Sequence, residues 1–253
     1  MLYGMYLSAG GLLANQYRME VLANNLANTD TAGFKQDLTV VRERMIASRE
    51  RLAGLGAGDR GLDGMTGGSL VAPTHTAFEQ GAIEKTGNPL DAALQGEGFF
   101  RVGTSTGEAY TRDGRFVRSD TGELVTAAGA HPVLDSSGSP IVIPAQASGQ
   151  VRIDGNGEVR AGDLVCGTLG VVGFEDKAML RKVGGNLFEP LGGEPVRVDP
   201  NLVSGAVEKS TVDPVHSMVS MIEVSRAYQA NATLLGLADT TLGRAVNDVG
   251  RVG

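Results

Sequence analysis

Near the C-terminus, Met221, Val224, Tyr228, Asn231, Leu235, Ala238, Leu242 and Ala245 follow one another in alternating steps of three and four, the longest clean heptad seam in the chain. Such spacing lays one stripe along an α-helix and strongly restricts what the segment can become. Asp213-Pro214 precedes it and predicts the start, since a carboxylate caps the first free amides and proline suits the first helical position. A second seam lies at the opposite end, through Met5, Ala9, Leu12, Gln16, Met19, Ala23 and Leu26, with one polar interruption at Gln16. This helix is expected to stop near Asn28, where Asn28-Thr29-Asp30-Thr31-Ala32-Gly33 is rich in turn formers. A weaker helical pattern runs from Val40 to Leu52.

A helix with one apolar stripe is unstable alone in water, so two seams at the two ends predict a coiled-coil-like pair. The pair cannot use everything apolar. Leu2, Tyr6, Leu13, Tyr17 and Leu22 lie off the first seam, and Met218, Ile222 and Leu234 off the second. Stripes this wide predict contacts with more than one partner helix, and hence self-assembly. Periodicity leaves open the alternative of an intramolecular hairpin folded onto the rest of the chain.

Between the ends the pattern changes. Seven glycines from Gly54 to Gly68 make the stretch 53–74 a loop that is costly to order unaided. From 75 to 205, short β-prone runs (99–102, 115–118, 123–125, 141–143, 151–153, 164–174) alternate with Asp113-Gly114, Thr121-Gly122, Ser137-Gly138, Asp154-Gly155 and Asn156-Gly157. Turn signals at this spacing predict antiparallel hairpins. The expected fold is α+β, with a helical region 1–52, the loop 53–74, a central antiparallel all-β domain 75–205 and a helical region 206–253.

Composition narrows the function. With 22 basic and 29 acidic residues the formal net charge is -7, and the one basic cluster, Arg42 to Arg51, is interleaved with Glu43 and Glu50. No nucleic-acid partner is expected. Cys166 is the only cysteine, flanked by Val165 and Gly167, and reads as a small core side chain. The N-terminus lacks the basic region of a secretory signal, and no apolar run is long enough to span a membrane.

Catalytic motifs are weak. Gly56-Ala57-Gly58-Asp59-Arg60-Gly61 matches a dinucleotide string without the strand before it or the helix after it. Asp154 to Glu158 begins like a calcium loop, but Val159 and Val165 occupy positions that need glycine and glutamate, so a hairpin turn is expected. His75, His131 and His216 lack ligand spacing. No cofactor, metal or catalytic residue is expected.

Three blocks of residues carry a resemblance. Val21-Leu22-Ala23-Asn24-Asn25-Leu26-Ala27-Asn28-Thr29-Asp30-Thr31-Ala32-Gly33-Phe34-Lys35 is similar to the N-terminal signature of bacterial flagellar rod and hook proteins. Asn88 to Phe100 with Tyr110 to Phe116 resembles the entry to their central domain, and Val207 to Asp213 with Met221 to Asn231 resembles their C-terminal block. The length suits a rod subunit of the FlgF or FlgG type; Pro214 leans toward the first and Met221 to Tyr228 toward the second.

The resemblance implies a structural, non-enzymatic subunit that self-assembles through its terminal helices for flagellum-dependent motility. Its implied partners are copies of itself, other rod or hook subunits and the flagellar export apparatus. It also implies a place in the periplasm-spanning rod of the basal body, reached by export without a cleaved signal peptide. On this reading the assembly interface comprises Leu12, Met19, Leu22, Asn24, Asn25, Leu26, Asn28, Thr31, Gly33, Phe34, Met221, Val224, Tyr228, Leu235 and Leu242. The alternative is a secreted β-domain scaffold or adhesin with helical ends.

Overall fold

The computed structural model describes residues 2–43, 68–144 and 149–249. These form two compact units: 2–27, 37–43, 68–75 and 213–249 make one, and 28–36 with 76–144 and 149–212 make the other.

The first unit is built on helix α1 (Leu2–Ala27) and helix α2 (Pro214–Val249), which pack against each other. α1 contains no proline, and its only charges are Arg18 and Glu20. It ends at Ala27, where the Asn28–Asp30 turn begins. α2 starts as its cap predicts: Asp213 Oδ1 accepts from the amides of Val215 at 2.9 Å and His216 at 3.1 Å.

The predicted seam of α2 is its sheltered stripe. Met221, Val224, Tyr228, Asn231, Leu235, Ala238 and Leu242 are all buried or half-buried, while Ala245 is exposed. The seam of α1 is less faithful. Met5, Ala9, Leu12, Met19 and Leu26 are half-buried, but Gln16 and Ala23 face out and Ala14, Asn15 and Asn25 are buried in their place. Two causes combine. A straight helix drifts about 20° per heptad from a 3.5-residue repeat, and α1 also packs on the strand Ser69–Val71.

That strand pairs with Val41–Glu43, in the register Val41 opposite Val71. The weak helical pattern predicted from Val40 is therefore a strand at 41–43; β-branched Val40 and Val41 suit a strand better than a helix. Residues 44–52 of that pattern, and 53–67 of the predicted loop, lie outside the described residues.

The second unit is antiparallel β. Its largest sheet has six strands in the order Leu180–Gly184, Leu187–Pro190, Gly107–Thr111, Phe99–Thr104, Val171–Gly173 and Val196–Arg197. Side chains alternate across a strand, so Phe99 and Phe100 point to opposite faces. Phe100 joins Phe116, Leu124, Ile141, Ile153 and Leu169 in one core. Phe99 joins Tyr110, Phe174, Leu180 and Phe188 in another, with edge-to-face ring contacts. A three-stranded meander (Val151–Ile153, Glu158–Ala161, Leu164–Thr168) and two-stranded pairs complete the unit.

Two expectations for the strands need correction. Among the described residues Ile141–Ile143 makes a single bridge, Val142 with Glu123, because Pro140 and Pro144 flank it and cannot donate to a ladder. The run 164–174 is two strands parted at Leu169-Gly170, where a Cβ on Gly170 would lie 2.5 Å from the Asp135 carbonyl oxygen.

Candidate functional site

Residues 28–36 leave the end of α1 and run into the β unit. Asn28 opens the turn: its backbone oxygen accepts from the Thr31 amide at 3.2 Å, and its Oδ1 accepts from the Thr31 hydroxyl at 3.1 Å. Gly33 adopts φ +67°, and a Cβ there would overlap the Arg112 carbonyl group. No other residue satisfies both the conformation and the approach. Backbone bonds hold the segment from Gly33 onward: the Gly33 amide donates to Glu208 O at 2.7 Å, the Thr211 amide to Phe34 O at 3.1 Å, and the Ala77 amide to Gln36 O at 2.9 Å. Phe34 is buried beneath the Lys182 ammonium, which sits 4.2 Å from the ring centroid. Asn186 Nδ2 donates to Ala32 O at 2.8 Å.

Beside Phe34 lies a buried ionic clasp. Lys35 is 1% exposed, and its ammonium donates to Glu208 Oε1 at 2.5 Å and to the Glu79 carbonyl oxygen. Glu208 Oε2 accepts from Arg112 Nη1 at 3.3 Å, and Oε1 also accepts from the Gly81 amide at 2.8 Å. Arg112 donates further to Gly96 O at 2.8 Å and stacks over Phe99.

Two cations thus share one carboxylate away from water. Burial pulls the Lys35 ammonium below the ordinary lysine value; attraction to Glu208 and their hydrogen bond push back, and Arg112 adds to the lowering. Burial likewise lowers Arg112, again opposed by Glu208. Removing one member of such a set costs about 3–5 kcal/mol, because the rest remain buried and uncompensated. None of the three stands out in the sequence. The available signal is a charged residue inside each of the three motif blocks, next to Phe34, Thr111 and Val207.

The predicted interface residues divide between the two units. In the first unit, Leu12, Met19, Leu22 and Leu26 of α1, with Met221, Val224, Tyr228, Leu235 and Leu242 of α2, are buried or half-buried. Asn25 is wholly buried and its amide brackets Asp37: Nδ2 donates to Asp37 O at 2.7 Å while Oδ1 accepts from the Asp37 amide at 3.0 Å. Asn24 is exposed. In the second unit, Gly33 and Phe34 are buried, and Asn28 and Thr31 are half-buried in the turn.

The outer faces of the helices are apolar without being covered. Tyr6 is 83% and Leu13 67% exposed on α1; on α2, Val215 is 70%, Ile222 54% and Leu237 60% exposed, joined by Met218, Val219 and Leu234. Val246 is also exposed. Across the helix pair, Gly11 makes room for Asn231: a Cβ on Gly11 would lie 2.8 Å from Asn231 Nδ2. Both residues border a cavity of about 470 Å³ with Leu7, Val41, Arg42, Gly68 and Ser69.

Asp154 to Glu158 forms the expected hairpin turn, with the Gly157 amide donating to Asp154 O at 2.9 Å. Cys166 is half-buried against the Phe100 core. Among the described residues, no three His, Cys, Asp or Glu side chains are grouped to hold a metal ion, and no helix is long and apolar enough to cross a membrane. The Gly56–Gly61 string lies outside the described residues.

Comparison with known proteins accounts for these blocks. Family models match in three places: the flagella basal body rod protein model over residues 5–35, the flagellar hook protein FlgE/F/G D1 domain over 93–161, and the flagellar basal body rod FlgEFG protein C-terminal model over 203–248. The clasp draws one residue from each: Lys35, Arg112 and Glu208. The chain is 34% identical to the flagellar basal-body rod protein FlgF of Caulobacter vibrioides, over 98% of both chains. It is 33% identical to FlgG of Bacillus subtilis, over 98% of this chain and 99% of the relative. With FlgF of Mesorhizobium japonicum it shares 31% identity over 97% of each. The paired terminal helices, the antiparallel β unit that separates them in sequence and full-length similarity to named relatives lead to one conclusion: the chain belongs to the family of flagellar basal-body rod proteins.

Proposed function

We propose that this chain is a structural subunit of the flagellar rod that assembles with copies of itself and with other rod or hook subunits through the outer faces of α1 and α2, in the service of motility. The observation that carries this reading is the uncovered apolar surface on both helices, from Tyr6 and Leu13 to Val215, Ile222 and Leu237. Apolar surface buried against neighbours is worth roughly 25 cal/mol per Å², and a soluble monomer rarely exposes so much of it in contiguous patches. The seam residues Leu12, Met19, Leu22, Leu26, Met221, Val224, Tyr228, Leu235 and Leu242 join the two helices within a subunit, and the outer rows meet other subunits. Asn24, exposed at the end of α1, also faces a neighbour. Asn25, Asn28, Thr31, Gly33 and Phe34 act at one remove, by fixing the path of the chain out of α1.

The subunit works without enzymatic activity, reaches the basal body through the flagellar export apparatus, and keeps its N-terminus uncleaved. The adhesin-like alternative has no support among the relatives, which carry rod names.

The test is to replace Ile222 and Leu237 by aspartate in the full chain. The folded monomer is expected to survive, while incorporation into basal bodies and swimming are lost. Normal incorporation and swimming by the double variant would sink the assembly reading.

A further inference from the structure

The ionic clasp joins residues that are far apart in the chain: Lys35 and Glu208 are separated by 173 positions. Stability alone does not explain why this set is charged, since buried ion pairs can often be replaced by apolar side chains at no loss. What charge adds is a condition. Lys35 and Arg112 are both almost fully buried, and Glu208 supplies the carboxylate for both.

We propose that Glu208 makes docking of the signature segment 31–36 conditional on the arrival of the C-terminal segment, so that the clasp closes only in a complete chain. Glu208 ends the strand Ala206–Glu208, which pairs with Ile83–Lys85, and the Lys209 amide then donates to Ala82 O at 2.8 Å. Until this strand is in place, seating Lys35 beside Arg112 brings two like charges out of water with no counter-ion. The backbone has the same dependence. The Gly33 amide needs Glu208 O, Phe34 O needs the Thr211 amide, and the Gln36 amide needs Thr211 Oγ1 at 3.0 Å.

A purely apolar Phe34 plug would enter early, because apolar contact is non-directional. Lys35 holds it back. Synthesis runs from the N-terminus, so the segment after α1 stays undocked until the segment that leads into α2 is present.

The test uses the full-length chain and amide hydrogen exchange. Glu208→Gln is expected to speed exchange at Gly33, Phe34 and Gln36 on the order of a hundredfold or more. The central-sheet amides of Phe100 and Val102 should keep their protection. In the triple variant Lys35→Met/Arg112→Met/Glu208→Gln neither cation is left uncompensated, and protection of 33–36 should return. Unchanged exchange at 33–36 in Glu208→Gln overturns the proposal. So does a parallel loss at Phe100 and Val102, which would make Glu208 a support of the whole unit. Should the single variant not fold, the triple variant decides: its folding with 33–36 protected supports the condition, and its failure overturns it.

Discussion

The clasp and the outer helical faces treat exposure in opposite ways. Lys35, Arg112 and Glu208 are charged and hidden, with most of their donors and acceptors met inside the chain. Tyr6, Leu13, Ile222 and Leu237 are apolar and uncovered. Residue type by itself would predict the reverse. On the proposed function, the difference separates a part that is complete within one chain from a part that awaits another. A region whose polar groups find partners internally is finished; a helix pair with apolar rows facing water is, on the same proposal, half an interface.

The contrast breaks most sharply at apolar truncations. Phe100→Ala should cost about 3–5 kcal/mol in denaturant unfolding of the isolated chain, because it empties a packed core. Leu237→Ala should change the same measurement by about 0.5 kcal/mol or less. A large loss for Leu237→Ala would mean that the outer face is already part of the subunit's own core.

A smaller effect tests whether the inner seam is specific. Alanine for glycine within a helix normally gains up to about 1 kcal/mol. Gly11→Ala should forfeit that gain here, since the new methyl meets the Asn231 amide. In an Asn231→Ala background the gain should reappear, giving a coupling of about 1 kcal/mol in a double-mutant cycle. Additive behaviour would show that the two side chains do not meet.

The last prediction concerns a titration. Followed by NMR, the Lys35 ammonium should release its proton below the ordinary lysine value of 10.5, with burial as the main cause. Between the folded and unfolded values the unfolded chain binds more protons. The stability contributed by this group therefore rises with pH across that interval and is least below it. A Lys35 titration at or above 10.5 would show that attraction to Glu208 outweighs the cost of burial.

Much of the fold is legible from residue order. Asp213-Pro214 places the start of α2, the Asn28–Gly33 turn places the end of α1, and the alternating pattern after residue 75 marks antiparallel β. The seam of α2 is readable because its three-four alternation is nearly unbroken. That of α1 misleads at Gln16 and Ala23, which face out, because a straight helix drifts from a 3.5-residue repeat and packing on a strand from elsewhere in the chain moves the sheltered arc. The clasp is not legible at all. A lysine, an arginine and a glutamate in three separate blocks carry no periodicity, and nothing local says that they meet.

Residue order therefore sets the local structure: two helices, their caps, the turns between strands, and through the motif blocks the family. Those features depend on spacing, capping chemistry and glycine placement over a few residues. Three others emerge only on folding: Lys35, Arg112 and Glu208 become one buried group, the Arg112 backbone obliges residue 33 to be glycine, and certain apolar rows of the helices stay uncovered. Each of these depends on contacts between distant segments, whose pairing is set by packing across a whole unit rather than by any neighbour in the chain.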